Sequence, residues 1–118
     1  MVPRYVSPRA RPTVPEHLAS PHVLVVVPHT HWDREWYHPV GVFRQRLGAL
    51  VDALLDADDD LPFLLDGQAI VLDDYRLLRP ERAARLADAL ASGRLEAGPW
   101  YVLADQLLPS GEALVRNL

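Results

Sequence analysis

Two histidines and two carboxylates are concentrated in one short polar stretch that directly follows an apolar run. The stretch "PHTHWDREWY" begins at Pro28, immediately after "VLVVV". In an extended chain, side chains two positions apart point the same way, so His29, His31 and Asp33 share one side. Imidazole nitrogen and carboxylate oxygen are donors that suit zinc or a similar divalent cation. Because zinc takes about four donors, His31 and Asp33 would supply half of a metal site.

Composition argues against several other kinds of site and partner. The chain has 118 residues and a formal net charge of −4, and its 12 Lys and Arg residues are scattered, so a nucleic-acid partner is not expected. With 0 cysteines, disulfides and thiolate metal sites are excluded, and any metal ligands must be His, Asp or Glu. No segment resembles a secretory signal or a membrane span. We therefore expect a cytoplasmic protein without a membrane partner.

Apolar segments alternate with amphipathic ones along the chain. The strand candidates are "HVLVVVP", "LPFLLDG" and "LEAGPWYVLAD", and apolar runs without alternation are typical of parallel strands covered on both faces. The helix candidates are "VGVFRQRLGALVDALLDADDD", "RPERAARLADALASGRL" and "SGEALVRNL". The first helix is predicted to turn an apolar face to the core. That face consists of Phe43, Leu47, Leu50 and Leu54, with Val51 and Leu55 alongside.

Proline, glycine and serine mark the ends of the predicted elements. Pro80 lies in the first turn of the second helix and Gly93 follows its end, while Ser110 is placed to cap the third helix. Residues 1–21 are rich in Pro and Arg, and the prolines interrupt helices and strands. We expect this lead to be extended or disordered.

The order strand, helix, strand, helix, strand, helix indicates an α/β fold with a parallel sheet. A complete (β/α) barrel takes roughly 250 residues, so residues 22–118 are predicted to be the opening, incomplete segment of such a barrel. Reactive side chains in these folds collect at the carboxyl ends of strands, where the histidine-rich stretch lies. Asp66 ends the second strand candidate, where it could point into the barrel mouth or stabilise the turn at Gly67, and Gln68 has the same two alternatives.

The stretch "PHTHWDREWY" resembles the first motif of glycoside hydrolase family 38, the α-mannosidases, and looks most like the bacterial branch. The resemblance continues in order and spacing through "FLLDGQAIVLDDY" and "LEAGPWYVLADQLLPSGEALVRNL", so it covers roughly residues 22–118. It implies the N-terminal part of a catalytic α/β barrel domain of a zinc-dependent retaining α-mannosidase. Mannose-containing oligosaccharides would be the substrates, and a homo-oligomer of the complete enzyme is left open.

The resemblance also implies roles for individual residues. His31 and Asp33 match the two early zinc ligands of the family, and Trp36 matches an aromatic residue that lines the sugar site. His29 precedes the ligand pair and is expected to support it from outside the coordination shell. Asp105 falls near an acidic position that contacts substrate, although this chain reads "LADQ" where the family pattern is closer to "LPDE".

Other residues near these motifs have two readings. Trp100 could form a platform for a sugar face or pack into the core at a strand end. Arg34 and Glu35 could contact substrate or each other. Asp73, Asp74 and Tyr75 are expected to begin or cap a helix. The resemblance places the nucleophilic aspartate and a further histidine ligand beyond Leu118, so no catalytic residue is assigned within the chain.

Two alternatives to a mannosidase also stay open. An H-x-H pair at a strand end opens the metal sites of amidohydrolase-type enzymes as well, which would predict activity on amides or esters. The chain could instead be a truncated remnant without activity. In either case we expect the isolated 118-residue chain to be inactive and to bind zinc weakly, because two donors make an incomplete shell.

Overall fold

Helices and short strands alternate in the computed structural model, which describes residues 24–58, 61–105 and 107–118. The predicted lead at 1–21 lies outside the described residues. A 3₁₀ turn at Pro80–Arg82 precedes the third helix. In chain order the elements are α1 (Val40–Asp56), β1 (Phe63–Leu64), α2 (Ile70–Leu78), α3 (Ala83–Ala91), β2 (Leu95–Glu96) and α4 (Gly111–Arg116).

The two strands form a parallel sheet. Phe63 is opposite Leu95 and Leu64 is opposite Glu96. Parallel neighbours need a long crossover connection, and α2 and α3 supply it. The prediction of a mixed α/β chain with parallel strands is therefore confirmed.

The first predicted strand, residues 22–28, differs from expectation. Pairing with β1 begins at its end: Leu64 N donates to the Pro28 carbonyl at 3.0 Å, and Thr30 N donates to the Leu64 carbonyl at 3.2 Å. His29 forms a parallel bridge with Leu64. Exposure runs from 87% at Leu24 to 56% at Val27, so the prediction of burial on both faces is wrong for residues 24–27. The described chain pairs with this segment from Pro28 onward, which leaves the earlier side chains uncovered.

Helix α1 turns one apolar face towards α2 and α3, as predicted. Its deepest side chains recur every four residues, so one side of the helix is buried along its whole length. Leu50 and Leu54, assigned to the same face, are half-buried at its margin. The buried side chains are Phe43, Leu47, Val51 and Leu55.

Asp73, Asp74 and Tyr75 were expected to begin or cap a helix. The helix that contains them, α2, begins at Ile70 and has Asp73 in its first turn, while Asp74 and Tyr75 lie further inside it and are buried. The burial of Asp74 was not expected, because a carboxylate inside a protein needs a partner and the neighbouring sequence shows none. The completed core contains Leu47, Val51, Leu55, Leu65, Val71, Tyr75, Leu86, Ala89 and Leu95.

The predicted helix ends are largely confirmed. Gly93 has φ 73°, a left-handed conformation that favours glycine after a helix. Ser110 accepts a hydrogen bond through Oγ from Ala113 N at 3.2 Å and so caps α4. The helix expected from Pro80 onward is divided into the 3₁₀ turn and α3. Across the described part of the chain, no helix has the length and apolar character that crossing a membrane requires.

Candidate metal and sugar site

His31 and Asp33 lie side by side just after the bridge between His29 and β1. Nε2 of His31 is 3.4 Å from Oδ1 of Asp33, and the two side chains are 67% and 36% exposed. Both donor groups can therefore be reached from solvent. The expectation that residues two apart share a side holds for this pair.

The spacing of the pair fits two neighbouring corners of a zinc site. Bonds of about 2.0–2.2 Å at a tetrahedral angle separate two donor atoms by about 3.4 Å. In residues 24–58, 61–105 and 107–118, no group of three or more His, Asp or Glu side chains could hold a metal ion. The described residues thus fit half of a coordination shell and do not complete it.

Trp32 lies between the two candidate ligands, and contacts of its N–H group, its carbonyl and its ring fix its position. Its backbone N–H donates to Asp66 Oδ2 at 3.0 Å, and its carbonyl accepts from Gln68 Nε2 at 2.6 Å. Its ring meets the Phe43 ring edge-on, with centroids 6.2 Å apart, and packs against the core. Because neighbours in an extended chain point to opposite sides, anchoring Trp32 inward directs its neighbours outward.

Asp66 and Gln68 are buried polar residues that follow β1, with 4% and 2% exposure. Asp66 Oδ1 accepts from Gly67 N at 2.6 Å, and Oδ2 accepts from Gln68 Nε2 at 2.7 Å. Asp66 therefore stabilises the turn, as one of its two readings proposed, and also reaches Trp32. Gln68 was given the same two alternatives, and neither included its hydrogen bond to the Trp32 carbonyl. The polar triplet "DGQ" directly after the apolar run "FLL" marks both residues as candidates but does not indicate this partner.

Arg34 pairs with Asp74, a partner that neither of its predicted readings included. Arg34 Nε donates to Asp74 Oδ2 at 2.7 Å and an Arg34 terminal nitrogen donates to Oδ1 at 3.0 Å, while Arg44 Nε donates to Oδ1 at 2.8 Å. Burial alone would raise the pKa of Asp74, but hydrogen bonds and charges from both arginines outweigh it and lower the pKa below its usual value. The pair fixes the turn after Asp33 to α2.

Two aromatic residues were predicted to contact sugar, and they lie in different surroundings. Trp36 is 68% exposed, with its ring edge-on to Tyr37 at 6.0 Å, so it can offer a face to a ligand. Trp100 is half-buried. Its backbone runs beside the end of β1, where Trp100 N donates to the Gly67 carbonyl at 3.2 Å and Ala69 N donates to the Trp100 carbonyl at 2.7 Å.

His29 and Asp105 are both exposed. His29 Nδ1 lies 2.9 Å from the Thr30 carbonyl, so its described contact is with its own neighbour. The segment leading to Asp105 is tied to the site, because Leu103 N donates to Gln68 Oε1 at 3.4 Å. The structure thus brings His31 and Asp33 together. It also links the segment before Asp105 to Gln68, the residue that contacts Trp32.

Comparison with known proteins gives one family for nearly the whole chain. The family model for the glycosyl hydrolases family 38 N-terminal domain matches residues 21–118. A curated protein of Halalkalibacterium halodurans, named "Putative mannosylglycerate hydrolase", is 46% identical over 97 residues. That match covers 79% of this chain and 11% of the relative.

Solved structures resemble the chain as well. An α-mannosidase from Enterococcus faecalis V583 is 45% identical with a TM-score of 0.71. A family 38 glycosyl hydrolase protein from Enterococcus faecalis is 41% identical with a TM-score of 0.65. Each match covers 77% of this chain and 11% of the solved chain, so the chain spans about a ninth of the length of these relatives.

Proposed function

The chain belongs to glycoside hydrolase family 38, and from that membership we propose that it is the N-terminal part of the catalytic domain of a zinc-dependent, retaining α-mannosidase. Its described strands would be the opening strands of a parallel (β/α) barrel. The parallel pairing of β1 with β2 and the parallel bridge from His29 to Leu64 support this placement.

The His31–Asp33 pair carries the proposal. Its donor atoms, 3.4 Å apart, would hold zinc from two neighbouring corners. The bound cation would supply a template and Lewis acid for sugar hydroxyls. The chain's own task is to present the two donors in a fixed direction at a solvent-accessible edge.

The other predicted residues would contact the sugar. Exposed Trp36 can stack on an apolar sugar face, and the Asp105 carboxylate can accept hydrogen bonds from sugar hydroxyls. Trp100 and His29 keep their proposed roles as a second aromatic wall and a support for the ligand pair. Retaining hydrolysis needs two carboxylates about 5 Å apart, and we assign that pair to no residue described here.

The substrate class we propose is α-mannosides. Mannose-containing oligosaccharides follow from the family, whereas the name of the Halalkalibacterium relative points to mannosylglycerate. Both contain an α-mannosyl group, and an aryl α-mannoside tests the shared chemistry. Comparing the rates at which the same protein hydrolyses a mannose-containing oligosaccharide and mannosylglycerate would then decide between the two natural substrates.

A segment exchange tests the proposal. In the Enterococcus α-mannosidase, the matching segment would be replaced by that of this chain, and hydrolysis of an aryl α-mannoside would be measured. We expect activity, and we expect His31→Ala or Asp33→Ala in the exchanged segment to abolish it together with bound zinc. The matched control is His38→Ala, another exposed histidine of the same segment, which should leave activity and zinc content unchanged.

Three results would contradict the proposal. A folded chimera that cleaves an aryl ester but no mannoside would favour the amidohydrolase alternative. A folded chimera without activity would favour an inactive remnant. Full activity after loss of His31 and Asp33 would remove the metal role of the pair. The isolated 118-residue chain is expected to hydrolyse no mannoside, since it supplies two of about four zinc donors.

A further inference from the structure

Asp66 and Gln68 hold both backbone groups of the residue that separates the two candidate metal ligands. We propose that they are positioning residues, which set the direction in which His31 and Asp33 leave the chain by fixing the peptide groups of Trp32. This inference rests on the proposed function of the pair. It adds a buried support that lies outside the pair itself.

The hydrogen bonds act on the backbone and not on the ligand side chains. Asp66 accepts from Trp32 N at 3.0 Å, and Gln68 donates to Trp32 O at 2.6 Å. Holding both groups restricts rotation of the two peptide planes on either side of Trp32. Since those planes carry the Cα atoms of His31 and Asp33, their side-chain directions are restricted as well.

The orientation of the Gln68 amide is determined by its partners. Nε2 has two neighbours, Trp32 O at 2.6 Å and Asp66 Oδ2 at 2.7 Å, and both are acceptors. A flipped amide would place an oxygen against these two oxygens. The correct orientation leaves Oε1 facing Leu103 N at 3.4 Å. Gln68 therefore joins the ligand segment to the segment that leads to Asp105.

Burial makes this support rigid. Asp66 and Gln68 are 4% and 2% exposed, so water offers little competition for their hydrogen bonds, and losing one leaves a buried polar group unpaired. Gly67 lies between them, and a Cβ there would meet Leu103 Cδ1 at 3.3 Å. The small residue allows the two connected segments to approach closely.

The test uses the full 118-residue chain labelled with ¹⁵N and compares Gln68→Met with Asp52→Asn. Methionine keeps the length of glutamine but has no amide donor. Asp52 accepts hydrogen bonds from Tyr75, Arg79 and Arg82, so its variant disturbs another carboxylate network. The readouts are heteronuclear NOE values at residues 31–33 and the dissociation constant for Zn²⁺ titrated alone.

We expect Gln68→Met to lower the NOE values at residues 31–33 and to weaken Zn²⁺ binding by about tenfold. Asp52→Asn should leave both at wild-type values, even though it also lowers stability. Unchanged NOE values in Gln68→Met, or lowered values with an unchanged Zn²⁺ dissociation constant, would overturn the inference. So would an equal Zn²⁺ effect in the Asp52→Asn control.

A measurement without substitution protects the test against a variant that does not fold. Amide hydrogen exchange in the wild-type chain should be slower at Trp32 than at His31 and Asp33, and equal rates would overturn the inference. If the wild-type chain binds Zn²⁺ too weakly to measure, as half of a coordination shell allows, positioning is decided by the NOE and exchange data, and the metal role of the pair is decided by the zinc content of the chimera. An inactive chimera with these effects intact would count against the mannosidase proposal alone.

Discussion

Arg34 and Asp74 form a two-point ion pair across 40 residues of sequence, with N–O distances of 2.7 and 3.0 Å. The Asp74 side chain is 2% exposed, whereas Arg34 is 30% exposed. Removing the carboxylate leaves two arginines that water can still reach. We expect Asp74→Asn to lower the free energy of unfolding by about 2–3 kcal/mol, towards the lower end for breaking a buried pair. Urea denaturation measures it.

The matched control for that variant is Asp73→Asn, the neighbouring residue on α2. Its ion pair with Arg76 has an N–O distance of 3.6 Å and side chains that are about half exposed. An exposed pair contributes little, so we expect a change within about 0.5 kcal/mol. Equal losses for the two variants would mean that the buried pair contributes no more than a surface one.

Acid should destabilise the chain through Asp74 and Asp52. Burial raises the pKa of each carboxylate, but the hydrogen bonds that each accepts lower the pKa by more. The donors are Arg34 and Arg44 for Asp74, and Tyr75, Arg79 and Arg82 for Asp52. Their folded-state pKa values therefore lie below the unfolded value of about 3.9. Their contribution to stability is complete above that value and is lost as pH falls through the folded-state pKa.

Urea midpoints measured at a series of pH values check this prediction. The wild-type midpoint should fall as pH drops below about 4. In Asp74→Asn the fall should be shallower, because one of the two carboxylates is absent. Parallel acid profiles for the two proteins would contradict the assignment to Asp74.

High pH should lower the stability of the fold through ionisation of Tyr75. Burial, together with the hydrogen bond to Asp52 at 2.7 Å, raises the pKa of Tyr75 to about 12. Stability from this raised pKa is complete below the unfolded value of about 10 and is lost as pH rises towards 12. Phenolate absorbance should show an ionisation near pH 12 that is missing in Tyr75→Phe. A wild-type titration without that late step would refute it.

Two glycines should respond oppositely to alanine. Gly93 has φ 73°, where alanine is strained, so Gly93→Ala should lower the free energy of unfolding by about 1 kcal/mol. Gly111 begins α4 without a positive φ, and a Cβ there meets nothing within 4 Å. Gly111→Ala should raise stability by about 0.5 kcal/mol. Thermal unfolding of both variants measures the difference, and shifts of the same sign would contradict it.

The sequence predicted the features that depend on neighbouring residues. The apolar face of α1, the helix end at Gly93 and the Ser110 cap all follow from spacings of four residues or fewer, and all three are present. The spacing of His31 and Asp33 likewise placed the two donors together.

The features that were missed depend on partners far along the chain. Helix α2 accommodates Asp74 because Arg34 and Arg44 neutralise it from 40 and 30 residues away. Gln68 acquires its role from Trp32, 36 residues earlier. A local pattern contains no information about such pairs, since the fold alone determines which distant segments meet.

The Trp32 support also has a consequence for the order of events during synthesis. The ribosome delivers the chain from its N-terminus, so Trp32, with His31 and Asp33 on either side of it, emerges 36 residues before Gln68. At about 5–20 residues per second, the proposed metal donors are outside the ribosome for about 2–7 seconds before the groups that fix them emerge. A metal ion encountered in that interval would meet a flexible peptide. Any selection among metal ions by the geometry of the proposed donors can begin once Gln68 has formed its hydrogen bond to the Trp32 carbonyl.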